Sequence, residues 1–396
     1  VKNERKALRN KSLLLGVTGG VAAYKSVDLV RRLREEGLTV TVIMTKAAQY
    51  FVTPLSLSIA SQQKVYSDLF HDPMAHIYLP SGADIMVIAP ATANIIGKCA
   101  RGIADDLLST SFLSFRGQVI IAPSMNWRMY ENPVFRENLK CLLSTGVIQV
   151  GPEKGSLACG EEGMGRMAET SDIVDTVLSC MTEKDLSGEK ILVTAGPTRE
   201  YIDPVRFLSN RSSGKMGYAI ARAALRRGAD VTLISGPSSL EKPKGVHFIS
   251  VETASDMLGA IEKEARLSTV LIMSAAVSDF MPAKKNTDKI EKAGDLTMRF
   301  RPTPDIISAI SGKRKRPFII GFAAETGKRI RRARKKLRDK KMDMIVFNDV
   351  TEEGSGFDSD TNRVVIIDSK KETELPRMSK ESVADAILDM LLEVKT

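Results

Sequence analysis

SLLLGVTGGVAAYKSVDLVRRLREEGLTVTVIMT, residues 12–45, decides the fold. Two short apolar runs, Leu13 to Val17 and Val40 to Thr45, flank a stretch from Val21 to Glu36 whose apolar side chains recur at helical spacing. Neither run alternates apolar with polar, so each strand must be covered on both faces, and a strand–helix–strand series of this kind predicts parallel pairing. Outward from this stretch, Ile85 to Ala89 and Val119 to Ala122 read as further strands of the same sheet. A doubly wound α/β domain follows.

The same order of helix, glycine and strand returns downstream, where IARAALRRGADVTLISG repeats the pattern of LVRRLREEGLTVTVIMT. Asp185 to Gly188 interrupt the first series, and Lys190 to Thr194 open a second one. It continues with strands at Val270 to Met273, Phe318 to Phe322, Met344 to Phe347 and Val364 to Ile367, and closes with a helix from about Ser379. The expected fold class is therefore α/β: two tandem doubly wound, Rossmann- or flavodoxin-like domains with mainly parallel sheets, residues 1–187 and 188–396. Lys284 to Asp295 is charged and lacks apolar periodicity, which predicts a mobile loop.

Composition narrows the class. A chain of 396 residues with 43% hydrophobic and 27% charged side chains can close more than one core. The net charge of +10 is concentrated: KRIRRARKKLRDKK, residues 328–341, holds ten basic groups and one acid. That pattern fits a local anion site or a solvated basic helix better than a basic coat for nucleic acid, and no aromatic residues interleave with the lysines as stacking platforms would require. The four cysteines, Cys99, Cys141, Cys159 and Cys180, form no CxxC pair, so neither a structural zinc site nor a disulfide framework is expected. No run approaches the length of a membrane span, and the expected location is the cytoplasm.

Gly16 to Val21 lies between a strand and a helix, where converging backbone N–H groups favour an anion; a glycine-rich turn with a purely structural role has the same appearance. Pro90 to Asn94 brings a hydroxyl and an amide to the carboxyl edge of the sheet, and Thr45 ends its strand at that edge. PSMNWRMYENP (123–133) carries Asn126 and the only tryptophan, Trp127, while LACGEEGMGRM (157–167) places Cys159 among glycines. In the second half, SNRSSGKMG (209–217) reads either as a phosphate cradle containing Ser212, Gly214 and Lys215 or as a helix N-cap followed by a solvated lysine. Asp279 follows a strand and is a candidate ligand for a divalent cation.

GVTGGVAAYK, His76, PATAN, PSMN and ACGEEGMGRM, in that order, resemble the flavin-dependent phosphopantothenoylcysteine decarboxylases. The resemblance implies FMN held by Gly19, Gly20, Thr45, Thr92, Ala93 and Asn94, with His76 as active-site base, Asn126 binding the substrate carboxylate and Cys159 donating a proton. Tyr130 stands where that family often has tryptophan, which points to a different pocket shape. AGPTREYIDPVRFLSNRSSGKMG, AAVSDF, KIEK, TPDII, GFAAET and a K-x-x-x-K spacing resemble the bacterial CTP-using phosphopantothenate-cysteine ligases. That second resemblance implies CTP contacts from Ala275, Asp279, Lys289, Pro304, Asp305, Ile306, Ile307, Phe322, Lys336 and Lys340. It further implies Asn210 at an acyl-cytidylate and Mg²⁺ or Mn²⁺ at Asp279, with Glu291 where a lysine is common. In tandem the halves resemble the bifunctional coenzyme A biosynthesis enzymes of bacteria. The implied substrates are phosphopantothenate, cysteine and CTP, with no nucleic acid or membrane partner and a trimer-based homo-oligomer.

Overall fold

A computed structural model describes residues 11–156, 160–292, 294–325, 327, 330–349, 351, 356 and 359–395. The chain divides into two compact units between Thr182 and Glu183. The first unit is built on six parallel strands: β1 (Ser12–Val17), β2 (Thr39–Met44), β3 (Val65–Tyr66), β4 (Ile85–Ala91), β5 (Gln118–Pro123) and β6 (Ile148–Gln149). Their order across the sheet is β3-β2-β1-β4-β5-β6. Order reverses between β1 and β4, and in open α/β sheets the crevice at the carboxyl ends beside such a reversal is where ligands bind.

Both faces of this sheet are covered, as the absence of alternation requires. Leu13, Leu15 and Val17 pack in one buried cluster and Leu14 in the opposite one. Helix Lys25–Glu35 lays Leu29, Val30 and Leu33 on the first of these faces. Each such side chain contributes about 1.5–3 kcal/mol by leaving water. The helix expected from Val21 begins later: Val21–Tyr24 is a 3-10 turn, in which Ala23 N donates to Gly20 O at 2.9 Å. Tightened first turns are common where a glycine run feeds a helix without a side-chain cap. Strand β4 runs past the expected Ala89 to Ala91, with its register against β5 shifting between Ile88 and Ala91. Pro90 has no N–H for the ladder, so the bulge falls where a proline can be tolerated.

The second unit repeats the plan with β7 (Lys190–Ala195), β8 (Asp230–Ser235), β9 (His247–Ser250), β10 (Val270–Met273), β11 (Phe318–Glu325) and β12 (Met344–Asp349). These six are parallel, in the order β9-β8-β7-β10-β11-β12, the same topology as in the first unit. Two antiparallel strands, β13 (Val364–Asp368) and β14 (Glu372–Glu374), then extend the edge. The closing helix is Lys380–Lys395. Residues 284–292 hold neither helix nor strand, and two backbone bonds reach them: Asn286 N donates to Ile202 O at 3.0 Å and Ile290 N to Asp203 Oδ2 at 3.2 Å. Backbone donors find partners even where side-chain periodicity predicts none.

Candidate active sites at two sheet edges

In the first unit, a cavity of about 980 Å³ opens at the carboxyl ends of β1, β2, β4 and β5. Its lining contains Gly19, Gly20, Thr45, Thr92, Ala93, Asn94 and Asn126, so the residues expected around a flavin converge. Thr18, missed in the sequence, stitches the two central strand ends together: its hydroxyl donates to Pro90 O at 2.6 Å and accepts from Thr92 N at 3.2 Å. Gly19 sits where a Cβ would come within 2.4 Å of the Ala47 Cβ, so only glycine lets the turn close against the next strand's loop. The Thr45 hydroxyl is buried without a hydrogen-bond partner. A buried orphan hydroxyl in a cavity lining fits a ligand that brings its own oxygen, as a flavin phosphate does.

Asn126 caps helix Trp127–Glu131, its Oδ1 accepting from Arg128 N at 2.9 Å. That bond orients the side chain so that Nδ2 is the outward end, where it reaches Glu161 Oε2 at 3.5 Å. Glu161 also accepts from Trp127 Nε1 at 2.8 Å and from Arg128 at 2.7 Å, binding the segment after Cys159 to the one containing Asn126. The hairpin Glu153–Ser156 with Glu162–Arg166 is pressed on this segment: Met125 N donates to Gly165 O at 3.0 Å, and a Cβ at Gly165 would stand 2.1 Å from Met125 O. Ser156, Gly165 and Arg166 line the cavity, whereas Cys159 lies outside the described residues.

His76 is not among the lining residues. It lies on helix Ala75–Ser81, where Ser114 Oγ donates to its carbonyl at 2.6 Å and its Nδ1 is buried without a partner. Tyr130 does not line the cavity either; it is buried against Phe135 at 5.6 Å between ring centroids, with its hydroxyl accepting from Gln149 Nε2 at 3.1 Å. Tyr130 thus packs behind the lining residues and not among them. Lys98 in the lining pairs with Asp105 at 2.6 Å and Asp106 at 2.8 Å. Burial works against its charged form, but the two carboxylates outweigh that and raise its pKa. Its position one turn after Asn94 was the available sequence signal.

The second unit carries a cavity of about 740 Å³ at the corresponding edge. Asn210, Ser212, Gly214, Lys215, Ala275, Asp279, Pro304, Asp305, Ile306, Ile307, Phe322, Lys336 and Lys340 all line it. Lys289 does not. Helix Lys215–Arg226 begins at Gly214 with no side-chain cap, Gly214 N instead donating to Ser212 Oγ at 3.3 Å, and the first N–H groups of the helix suit an anion. Three lysines of the lining already face carboxylates: Lys215 meets Asp360 at 2.6 Å, Lys336 meets Glu325 at 2.8 Å and Lys340 meets Asp305 at 3.2 Å. Burial favours a protonated Asp305, yet hydrogen bonds from Ser308 and Lys340 prevail and lower its pKa. Among the described residues no group of three or more His, Cys, Asp or Glu side chains could hold a metal by themselves. Asp279 is exposed on the rim, so a cation there would take its remaining ligands from phosphates and water. Lys380, also missed in the sequence, is 4% exposed and lines the same cavity.

Comparison with known proteins gives a consistent result. A family model described as "Flavoprotein" matches residues 1–182, and one described as "DNA/pantothenate metabolism flavoprotein C-terminal domain" matches residues 186–394. The coenzyme A biosynthesis bifunctional protein CoaBC of Vibrio cholerae is 43% identical over 396 residues, covering 98% of this chain and 99% of the relative. That of Bacillus subtilis is 45% identical over 392 residues, with 96% of each chain covered. A crystal structure of the C-terminal domain of a CoaBC protein is 41% identical, with a TM-score of 0.46 over 52% of this chain and 97% of that one.

Proposed function

We propose, from the premise that this chain belongs to the family of bifunctional coenzyme A biosynthesis proteins, that its second unit joins phosphopantothenate to cysteine using CTP and its first decarboxylates the product to phosphopantetheine with FMN. The observation that carries the flavin reading is the buried, unpartnered Thr45 hydroxyl in a lining that also holds Gly19, Gly20 and the Thr92–Asn94 turn. A bound flavin supplies a reversible two-electron sink, which is what allows a cysteine carboxylate to leave as carbon dioxide. The chain's own residues do the rest. Asn126 offers Nδ2 to the substrate carboxylate without a charge that would hold it too firmly to leave. Cys159 supplies the proton needed when the product forms, and His76 serves as a base. Because His76 is absent from the cavity lining of its own unit, we assign that role to an assembled homo-oligomer. Exposed Tyr50, Leu55, Ile59 and Phe70 give the first unit apolar surface for such an assembly.

In the second unit the phosphopantothenate carboxylate attacks the α-phosphorus of CTP and pyrophosphate leaves. The cysteine amine then attacks the acyl carbon and CMP departs. Lys215, Lys336 and Lys340 neutralise phosphate charge by exchanging their present carboxylate partners for phosphate oxygens. Asn210 contacts the acyl-cytidylate, Asp279 would hold Mg²⁺ or Mn²⁺, which would supply charge neutralisation, and Lys289 adds a cation from its loop. The chain works in the cytoplasm on small molecules, and among the described residues no helix is long and apolar enough to cross a membrane.

The absorption spectrum of purified protein tests the first half: flavin bands are expected, with carbon dioxide released from phosphopantothenoylcysteine. Colourless protein that refuses added FMN and still decarboxylates would overturn it. Pyrophosphate release that requires CTP, phosphopantothenate and a divalent cation together tests the second.

A further inference from the structure

Lys289 is exposed and stands apart from the nucleotide cavity, yet its loop springs from the rim of that cavity. Asp279 and Thr303, both in the lining, are joined by a Thr303 N to Asp279 O bond of 3.0 Å. Beyond them Phe280–Pro282 pairs with Phe300–Pro302, and the charged loop lies between these two strands. What fastens the loop is a second hairpin, Arg199–Tyr201 with Phe207–Ser209, whose next residue is Asn210 of the cavity.

At the turn of that second hairpin, Asp203 is 0% exposed. Its Oδ1 accepts from Val205 N at 2.8 Å and Arg206 N at 2.7 Å, which shapes the turn. Its Oδ2 accepts from Arg206 Nη1 at 2.8 Å and from Ile290 N at 3.2 Å, which reaches the loop. Arg206 Nη1 also donates to Ile290 O at 3.0 Å, and Asn286 N donates to Ile202 O at 3.0 Å. Both backbone groups of the residue after Lys289 are therefore held by one ion pair, a buried Asp203 carboxylate with an exposed Arg206 guanidinium, and a third bond fixes the loop three residues before Lys289.

We infer that Asp203 is a positioning residue of the ligase half: with Arg206 it pins residues 286–290 to the hairpin that carries Asn210, and so presents Lys289 to the phosphates in the cavity. The inference rests on the role proposed for Lys289. The same donors are felt by the carboxyl itself: burial would raise its pKa, but the N–H groups of Val205, Arg206 and Ile290 and the Arg206 charge hold it at about 2. It is thus an anion at any working pH, able to accept all four bonds at once.

The test is Asp203→Asn in the full chain. An asparagine Oδ1 can still accept from Val205 and Arg206, so the turn survives, but its NH₂ faces the Ile290 and Arg206 donors and the tether to the loop is lost. Ile290→Pro deletes the donor from the loop side and leaves the buried turn untouched. Both variants should speed amide exchange in residues 284–292 while leaving β7 and β10 protected. Ligase kcat should fall about tenfold to a hundredfold, the usual scale for a misplaced group. Decarboxylation by the first unit should be unchanged, and the retained protection of β7 and β10 is the control for folding of the second unit. Asp203→Asn with Lys289→Ala should be no slower than Lys289→Ala alone, since both act through one ammonium group. Unaltered loop exchange in both variants, or losses that multiply in the double variant, would overturn the proposal. A silent Lys289→Ala would instead remove the role given to Lys289, and the positioning role with it, even if the loop were shown to loosen.

Discussion

The Thr45 hydroxyl is buried without a partner, a state that costs about 1–3 kcal/mol until a ligand atom answers it. Thr45→Val should therefore weaken FMN binding about tenfold, read by flavin fluorescence titration, while the flavin-free chain melts no lower than wild type. A drop in both would mean that the hydroxyl supports the fold instead. Asp203 makes the opposite case, a polar group with every acceptor site used. Its carboxyl is held at about 2 in the fold, below the roughly 3.9 of an unfolded chain. Because the folded value is the lower one, its contribution to stability is complete above about pH 4 and is lost as pH falls from there towards about 2. Thermal unfolding of wild type between pH 5 and about 2 should steepen relative to Asp203→Asn, and equal slopes would refute the assignment. Neither environment was legible beforehand. Thr45 could be placed at a strand end from the sequence, but orphaning depends on packing, and Asp203 gave no signal because its one distant partner, Ile290, lies in a loop that reads as featureless.

At the scale of elements, the strands were legible where both faces are buried. Leu13 to Val17 and Val270 to Met273 are apolar without alternation because helices cover each side, and their shortness and branched side chains separate them from buried helix segments. The hairpin Glu153–Ser156 with Glu162–Arg166 escaped, since its glycines and charges carry neither period; it exists because it lies against Met125 and Trp127. Gly165→Ala should push this hairpin off Asn126 by obstructing Met125 O. The expected result is slower decarboxylation with an unchanged ligase rate, measured on one preparation. Equal rates for wild type and variant would show that the hairpin does not set the position of Asn126. Strands β13 and β14 escaped in part as well: Val364 to Ile367 read as a strand, but nothing in a short apolar run tells antiparallel from parallel pairing. The site residues came from several separated segments, and their convergence follows from a strand order that brings the ends of β1 and β4 side by side. Lys98 and Lys380 were missed because a lysine in a helix looks solvated until the fold buries it.

For the molecule as a whole, two sheets of the same order, each with its own cavity, predict two separable responses. Calorimetry should show FMN raising one unfolding transition and CTP with Mg²⁺ raising another, since a ligand stabilises only what it binds. A single transition moved by both ligands would mean that the units unfold as one. The second unit is also fastened end to end. Arg227, 2% exposed, binds Asp185 at 2.6 Å near the unit's beginning and Asp389 at 2.8 Å in its last helix, and Lys395 meets Glu189 at 2.5 Å. Entrance and exit of that segment are therefore clasped together, so it could be spliced into a surface turn of an unrelated host, or have its order cyclically rearranged, with only a short joining peptide. Gene fusion in either orientation would have met little geometric resistance.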